Sequence, residues 1–587
     1  MNISNKNCTS IKEANTKIDL LALYGSLLCI LQDLKDFFIL SRYYTFNKKL
    51  DKYIEQLSNE ILNLVENNFV EKRLNTDIII EEYINIINEI YYIEDINDQV
   101  YNEECTYLYK KVIDYSLPEC FGYNLSDLNM CIQDAFSVLE NDDEVSIISI
   151  RTGGTFFAPF WALVARILNL KYNIISLRPI RIDNSCKYFI EDEVLKSVNR
   201  KIIILDDQMD TGNTVYTLIN LLEKSINVNE FYYSSPGKIY KYNDNFFELI
   251  KNNIPISFFC DRLWSKNTKE FTLKIKEIIS NYFQDYKQYE VTIYKGDNYY
   301  IKDWKWWYDV YRVDKFCHIN PKKTTFILKS NTEIHYIVKF IGESIYGKSV
   351  YSSLCRINEY LKESIYIDGF IIYKYSNLEN FDLQYKNLTL NNLKIVNNNI
   401  VKYFTELVDV QKVPFRIIKL EFKLYEKFKF LIQRLSKYII LKIDNKWLKK
   451  YISSKISIYS LYNINIKTSL LYSLEKNHWK INTNTLKIYK YHSDYNWGDI
   501  HSFEIELSAF FLVNKVSYSN VKTICEKLEE NLMINNLFSE IKNCLGYVLY
   551  LVLCNIEKSL KYYEGEVNRI NFKLDELIVY IEEMYNK

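Results

Sequence analysis

The residues whose types and spacing best suit chemistry lie in one run, Ile202-Ile-Ile-Leu-Asp-Asp-Gln-Met-Asp-Thr-Gly-Asn-Thr214. Aliphatic residues are followed by two adjacent acids, Asp206 and Asp207, and then by Asp210-Thr-Gly-Asn-Thr214 entering an amphipathic stretch. Backbone N–H groups at a helix start form a cradle for an anion. Gly212 lets the backbone approach a phosphate closely, and Thr211 and Thr214 add hydroxyl donors. Two carboxylates beside such a cradle suit the hydroxyls of a ribose, directly or through a divalent cation. Helix capping alone asks for one Asp and leaves the second acid and the Thr-Gly-x-Thr unexplained.

This run resembles the phosphoribosyl-pyrophosphate (PRPP) motif of type I phosphoribosyltransferases: an aliphatic strand, two acids, then a D-T-G-x-T loop. The match covers the motif without a gap. The resemblance implies that Asp206 and Asp207 hold the ribose hydroxyls together with Mg²⁺. It implies that Asp210, Thr211, Gly212, Asn213 and Thr214 hold the 5′-phosphate, Asp210 standing where some members keep a base. In the same family the first strand ends in a loop that receives the pyrophosphate. Ser149-Ile-Arg-Thr-Gly-Gly-Thr155 occupies that place, with Arg151, Thr152, Gly153 and Gly154 as its residues. Arg151 offers a fork of donors suited to a diphosphate, and the glycines permit backbone contact. Arg178 and Arg181, in Leu177-Arg-Pro-Ile-Arg181, meet the pyrophosphate or a second substrate, or are ordinary surface arginines. Residues Ile182–Arg200 suit the flap that excludes water in these enzymes. The implied reaction displaces pyrophosphate from a ribose carbon through an oxocarbenium-like state. Recognition of the acceptor falls to the N-terminal helices or to Tyr232–Trp264.

The elements that must position these residues are legible as patterns. Val145–Ile150, Asn173–Leu177 and Lys201–Leu205 read as strands, with Phe231–Tyr233 and Ile254–Phe258 as two more. Helical stripes lie between them: Phe157, Phe160, Trp161, Val164 and Leu168, then Val215, Leu218, Ile219 and Leu222. Strands alternating with helices predict an α/β domain with a parallel, helix-covered sheet. Ligands bind such sheets beyond the carboxyl ends of the strands, where both loops fall. Upstream, Leu50–Asn68 carries a stripe of Ile54, Leu57, Ile61 and Leu64 with almost no Gly or Pro, which predicts a helical region.

In the C-terminal half, Thr324–Tyr375 loosely resembles the small lobe of the kinase-like fold shared with aminoglycoside phosphotransferases. Thr325–Leu328, Tyr336–Phe340 and Gly369–Tyr375 read as antiparallel strands, with Lys339 on the second and Glu359 on a helix candidate. Asp494, in Asp494-Tyr-Asn-Trp-Gly-Asp499, stands where that family keeps a metal-binding acid. The pattern is incomplete. His478-Trp-Lys480 has lysine where an Asp belongs, position 485 is Thr, and no glycine-rich loop precedes Lys339. General-base and metal duties lack an owner there. From about Val401 onward the chain reads as mainly helical, with a strand near Leu486–Tyr491.

With 587 residues the chain is too long for one core. Four units are expected: a helical region at 1–120, a phosphoribosyltransferase-like domain at 121–285, a small α+β domain at 286–400 and a mainly helical domain at 401–587. Lys+Arg and Asp+Glu both number 74, so no basic excess points to nucleic acid. The apolar stretches Leu20–Leu31 and Leu545–Cys554 are short for a membrane span of roughly 20 residues, so no membrane partner is expected. The 12 cysteines are scattered singly, without the pairing of a zinc site or disulfide framework, and a cytoplasmic setting is expected. Two functions fit these features. One is an Mg²⁺-dependent enzyme acting on PRPP or a related ribosyl phosphate and a small-molecule acceptor. The other is a non-catalytic PRPP- or nucleotide-binding regulator acting on a protein partner through a degenerate kinase-like half.

Overall fold

The computed structural model describes most of residues 125–236, 254–258, 268–293, 325–341, 363–457, 464–468 and 479–587, with scattered residues elsewhere, among them helical ones between 21 and 62. Leu57, Ile61, Leu64, Thr152, Asp210, Thr211, Glu359, His478 and Asp494 lie outside the described residues. The chain is a mixed α/β protein with a parallel sheet and many helices.

The first sheet is built from α1 (Leu125–Leu139), β1 (Glu144–Ile150), α2 (Gly153–Ile167), β2 (Lys171–Leu177), the hairpin β3–β4 (Pro179–Ile182 and Ser185–Tyr188), α3 (Asp192–Lys196), β5 (Lys201–Leu205), α4 (Asn213–Ser225), β6 (Glu230–Ser235) and β7 (Ile256–Phe258). Five strands pair in parallel in the order β2-β1-β5-β6-β7. The chain moves outward from β1 to β2, then returns across β1 to β5. Strand order therefore reverses between β1 and β5, the position at which open α/β sheets take ligands beyond the carboxyl ends of their strands. Parallel strands covered on both faces need apolar residues at every position. Accordingly Ile147 and Ile203 pack with α2 on one face, while Ile148, Ile202 and Ile204 pack with α4 on the other. The α4 stripe is as expected: Val215, Leu218, Ile219 and Leu222 are all buried.

Helix α2 departs from the amphipathic expectation, because Gly153 through Ala165 are all buried. A helix covered on every side is apolar all round. Its outer cover includes α1 and the N-terminal helical residues. Pro159 inside α2 has no N–H for the carbonyl of Thr155. Gly25 seats against that same turn, where a Cβ would lie 2.9 Å from the Thr155 carbonyl oxygen and 2.6 Å from that of Phe156. This close approach brings Cys29, Asp33 and Asp36 up to the sheet.

The second sheet is antiparallel, in the order β11-β12-β10-β9-β8, from β8 (Glu290–Ile293), β9 (Thr325–Ser330), β10 (Glu333–Phe340), β11 (Ile365–Ile367) and β12 (Phe370–Lys374). Asp368 and Gly369 join β11 to β12 with φ of 47° and 82°, the doubly left-handed turn that Asp-Gly favours. Helix α5 (Thr268–Tyr282) packs Ile275, Ile278 and Ile279 on one face of this sheet with Phe326, Val338 and Phe370.

From Leu378 onward the described residues form helices and short antiparallel strand pairs around a buried helix, Phe503–Asn514, with an aromatic centre in which the ring centroids of Trp479 and Phe510 lie 4.7 Å apart. The helix Leu537–Leu560 extends beyond the apolar stretch Leu545–Cys554 at both ends. Its stretch Leu537–Cys554 is long and apolar enough to cross a membrane by length and composition, and half of it is buried. It packs on Phe503–Asn514 and on the helix Leu424–Leu435.

Glu504, on the buried helix, is 4% exposed and its Oε2 has no hydrogen-bond partner. Burial pushes its carboxyl up to about 7. A carboxyl raised in the folded state binds a proton that the unfolded chain has released, so stability falls as pH rises through that range. Glu504→Gln should therefore flatten the pH dependence of the unfolding midpoint between about pH 4.5 and 7, removing a decline of about 3 kcal/mol. Urea denaturation at closely spaced pH values measures it, and an unchanged slope would rule this out.

Candidate functional site

Both sequence-predicted loops meet at the reversal point of the parallel sheet. Asp206 leaves β5 with its N–H still donating to the Ser234 carbonyl at 3.2 Å. Its Oδ1 accepts the Asp207 N–H at 2.9 Å. Asp206 is 8% exposed, and burial together with the adjacent Asp207 carboxylate pushes it well above the usual carboxylate range. Two carboxyls crowded at a strand end are stabilised by a cation or by hydroxyl donors. The pair therefore fits a divalent ion bound mainly by substrate and water, as Mg²⁺ usually is. Among the described residues no group of three or more His, Cys, Asp and Glu side chains is disposed to hold a metal by itself.

Gly212 has φ of 74° and caps the start of α4, a left-handed geometry that glycine adopts without strain. Asn213 is exposed and Thr214 half-buried at this helix start. The β3–β4 hairpin, absent from the sequence reading except as a flap, leans on the same turn. Arg181 donates to Thr214 Oγ1 at 2.9 Å, and the Tyr188 hydroxyl donates to the Thr214 carbonyl at 3.1 Å.

Gly153 and Gly154 are needed for the approach of the two loops. A Cβ on Gly154 would run into the carbonyl of Leu205, and one on Gly153 into the side chain of Asp207. Leu205 ends a central buried strand that cannot give way. Gly154→Ala should cost about 3 kcal/mol, the upper part of the range for overpacking. Gly153→Ala meets a side chain that can rotate, so it should cost less stability while displacing Asp207. Comparing the two urea midpoints checks the order, and equal losses would contradict it.

The arginines are placed otherwise than expected. Arg151 was expected to offer its fork to a diphosphate. It is 3% exposed and its fork is taken by Asp33 at 2.9 Å, Asp36 at 2.6 Å and the Ser176 carbonyl at 2.7 Å. Arg178 is no surface arginine either. It is 4% exposed, its Nε donates to Asp33 Oδ1 at 2.9 Å, and its Nη2 to Asp33 Oδ2. Asp33 thus joins both guanidiniums beyond the ends of β1 and β2. Burial pushes Asp36 up to about 6, with Arg151 opposing the shift. Beneath the loop, the hydroxyls of Ser149, Thr155 and Ser176 form a buried chain, with contacts of 3.1 and 2.7 Å.

Sequence reading missed Asp33, Asp36 and Asp134. Asp134 on α1 accepts from Ser234 at 2.6 Å, Ser257 at 2.8 Å and Tyr232 at 3.3 Å, tying α1 to the ends of β6 and β7. The available signal for the first two was a pair of acids at i and i+3 interleaved with the apolar residues Leu31, Leu34 and Phe37, since buried acids require partners.

In the C-terminal half, Lys339 is 5% exposed on β10, opposite Thr325 on β9 and Ile371 on β12. Lys480, which stands where the kinase-like pattern expects an Asp, is buried in a strand paired with Leu378–Asn380. A separate buried network joins Glu506 to Lys490 at 2.8 Å, to Thr468 at 2.8 Å and to His501 at 3.1 Å. Burial would raise Glu506, but Lys490 and His501 outweigh it and hold the carboxyl below the usual range.

No protein-family model and no curated protein matches the chain. Among solved structures, the choline kinase LicA of Streptococcus pneumoniae is similar at 12% identity and a TM-score of 0.30, covering 53% of this chain and 99% of that one. LicA in complex with AMP gives 14% identity and a TM-score of 0.26 over 53% of this chain and 99% of that one. Adenine phosphoribosyltransferase from Saccharomyces cerevisiae gives 15% identity and a TM-score of 0.17, covering 22% of this chain and 75% of that one. These are weak structural neighbours, two of them of one kinase-like protein and the third a phosphoribosyltransferase.

Proposed function

We propose that the chain is a phosphoribosyltransferase-like enzyme that binds PRPP or a related ribosyl phosphate, with Mg²⁺, where β1 and β5 end side by side. The observation that carries this reading is the emergence of Asp206 and Asp207 at the sheet's reversal point, beside a helix start capped by left-handed Gly212. The 5′-phosphate sits on the N–H groups at the start of α4, beside Thr214 and Arg181. Asp206 and Asp207 hold the ribose hydroxyls and fix the sugar. The hairpin docked on Thr214 excludes water from that end. When bound, Mg²⁺ would be held by Asp206 and Asp207 and would neutralise charge developing on the departing group. The acceptor is a small molecule.

A second reading, in which a ribosyl ligand binds without turnover and regulates a protein partner of the C-terminal half, draws support from one observation. Arg151 and Arg178 are occupied by aspartates of the chain itself. Calorimetric titration of ribose 5-phosphate, with and without Mg²⁺, tests binding. Saturable binding strengthened by Mg²⁺ supports the site, and no binding of any ribosyl phosphate ends both readings. Release of the C1 substituent from a bound substrate then separates enzyme from regulator.

A further inference from the structure

We infer that the ribosyl ligand of this site carries a single phosphate, at its 5′ end, and an uncharged or cationic group rather than a diphosphate at C1. The class is that of an N-ribosyl 5′-phosphate such as a nucleoside 5′-monophosphate. This rests on the ribosyl-phosphate reading given above and narrows its substrate.

The place where a diphosphate would lie, beyond the ends of β1 and β2, is already matched by the protein's own anions. Arg151 and Arg178 converge on Asp33, which is fully buried, and Arg151 also reaches Asp36 at 2.6 Å. Two guanidiniums and two carboxylates leave no excess positive charge there. A diphosphate brings several negative charges and needs a set of free donors, whereas both terminal nitrogens of Arg151 are engaged and only its buried Nε has no partner. Taking the arginines for itself would strip Asp33 of its partners inside the protein, which is strongly unfavourable.

The helix start on that side is matched as well. The β1–α2 connection holds only Arg151 and Thr152, so α2 begins immediately at Gly153. The space over Gly153 is filled by the Asp207 side chain, and that over Gly154 by the Leu205 carbonyl. A carboxylate already stands where the helix start would attract an anion. The other end of the site differs. Arg181 reaches the Thr214 hydroxyl at the surface, beside the helix start capped by Gly212. Cationic attraction therefore favours one phosphate at the α4 end, and none at C1.

Competition calorimetry on the full wild-type chain in Mg²⁺ tests this with ribose 5-phosphate, PRPP and inorganic pyrophosphate. PRPP is expected to bind within about threefold of ribose 5-phosphate, and a large excess of pyrophosphate should not displace the sugar phosphate. PRPP binding more than about tenfold tighter, or pyrophosphate displacing ribose 5-phosphate, would overturn the inference and leave the ribosyl-phosphate reading standing. Failure of both sugar phosphates to bind would overturn that reading itself. Asp36→Asn, at the less buried member of the acid pair, should shift preference toward PRPP over ribose 5-phosphate by about tenfold. An unchanged ratio would overturn the assignment of the exclusion to the Asp33–Asp36 pair.

Discussion

Replacing Asp206 and Asp207 together by asparagine should lower the affinity for ribose 5-phosphate in Mg²⁺ by a hundredfold or more while leaving the protein as stable as before. Each hydrogen bond to a charged group contributes about 1.5–3 kcal/mol, so losing two carboxylates removes about 3–6 kcal/mol of binding. Stability should move the other way, if at all. Burial and the neighbouring Asp207 raise Asp206 in the folded state, so the pair costs stability as pH rises and its ionised form is disfavoured. Asparagine keeps an oxygen to accept the N–H of residue 207 and carries no charge to desolvate. The double variant should therefore melt at the same temperature or higher, the pattern of a site that trades stability for function. Calorimetry and a thermal melt of the same sample measure both. A variant that binds normally, or one that loses binding only because it unfolds, would refute the assignment.

Asp33→Ala should be the most destabilising single change at this site, costing about 3–5 kcal/mol. It leaves Arg151 and Arg178 buried without their shared carboxylate, and an uncompensated buried charge is far more costly than a lost surface contact. The surface pair Lys35–Asp51 provides the contrast on the same stretch of chain. Its ion contact is short at 2.7 Å, but Asp51 is half exposed, and Asp51→Ala should change stability by no more than about 0.5 kcal/mol. Urea denaturation of the two variants side by side checks the difference. Comparable losses would mean that the Asp33 contacts contribute little to holding the N-terminal helical residues against the sheet.

Much of the first sheet was legible because its strands are central and parallel. A strand covered on both faces must be aliphatic throughout, as in Ile202-Ile-Ile-Leu205, and such a run leaves few other readings. The α4 stripe was legible for the converse reason: one face meets the sheet and the other meets water. Helix α2 was placed correctly but misread as amphipathic, since its second cover comes from residues far away in the chain. The β3–β4 hairpin was read only as a flap, because strands of four residues carry too little alternation to register.

The sequence alone determined which residues stand at the ends of β1 and β5. Each loop follows directly from an aliphatic strand, and chain connectivity fixes that relation whatever else the fold does. It also determined that Gly212 begins a helix, since the stripe after it sets the phase. Only the tertiary structure decided what the arginines face. Arg151 and Arg178 meet carboxylates more than a hundred residues away in the chain, at Asp33 and Asp36. No local pattern carries that pairing, because an ion pair across such a separation depends on how the N-terminal helical residues seat against α2. That seating turns on Gly25 and on the proline-opened turn of α2, and it sets both arginines against the protein's own acids.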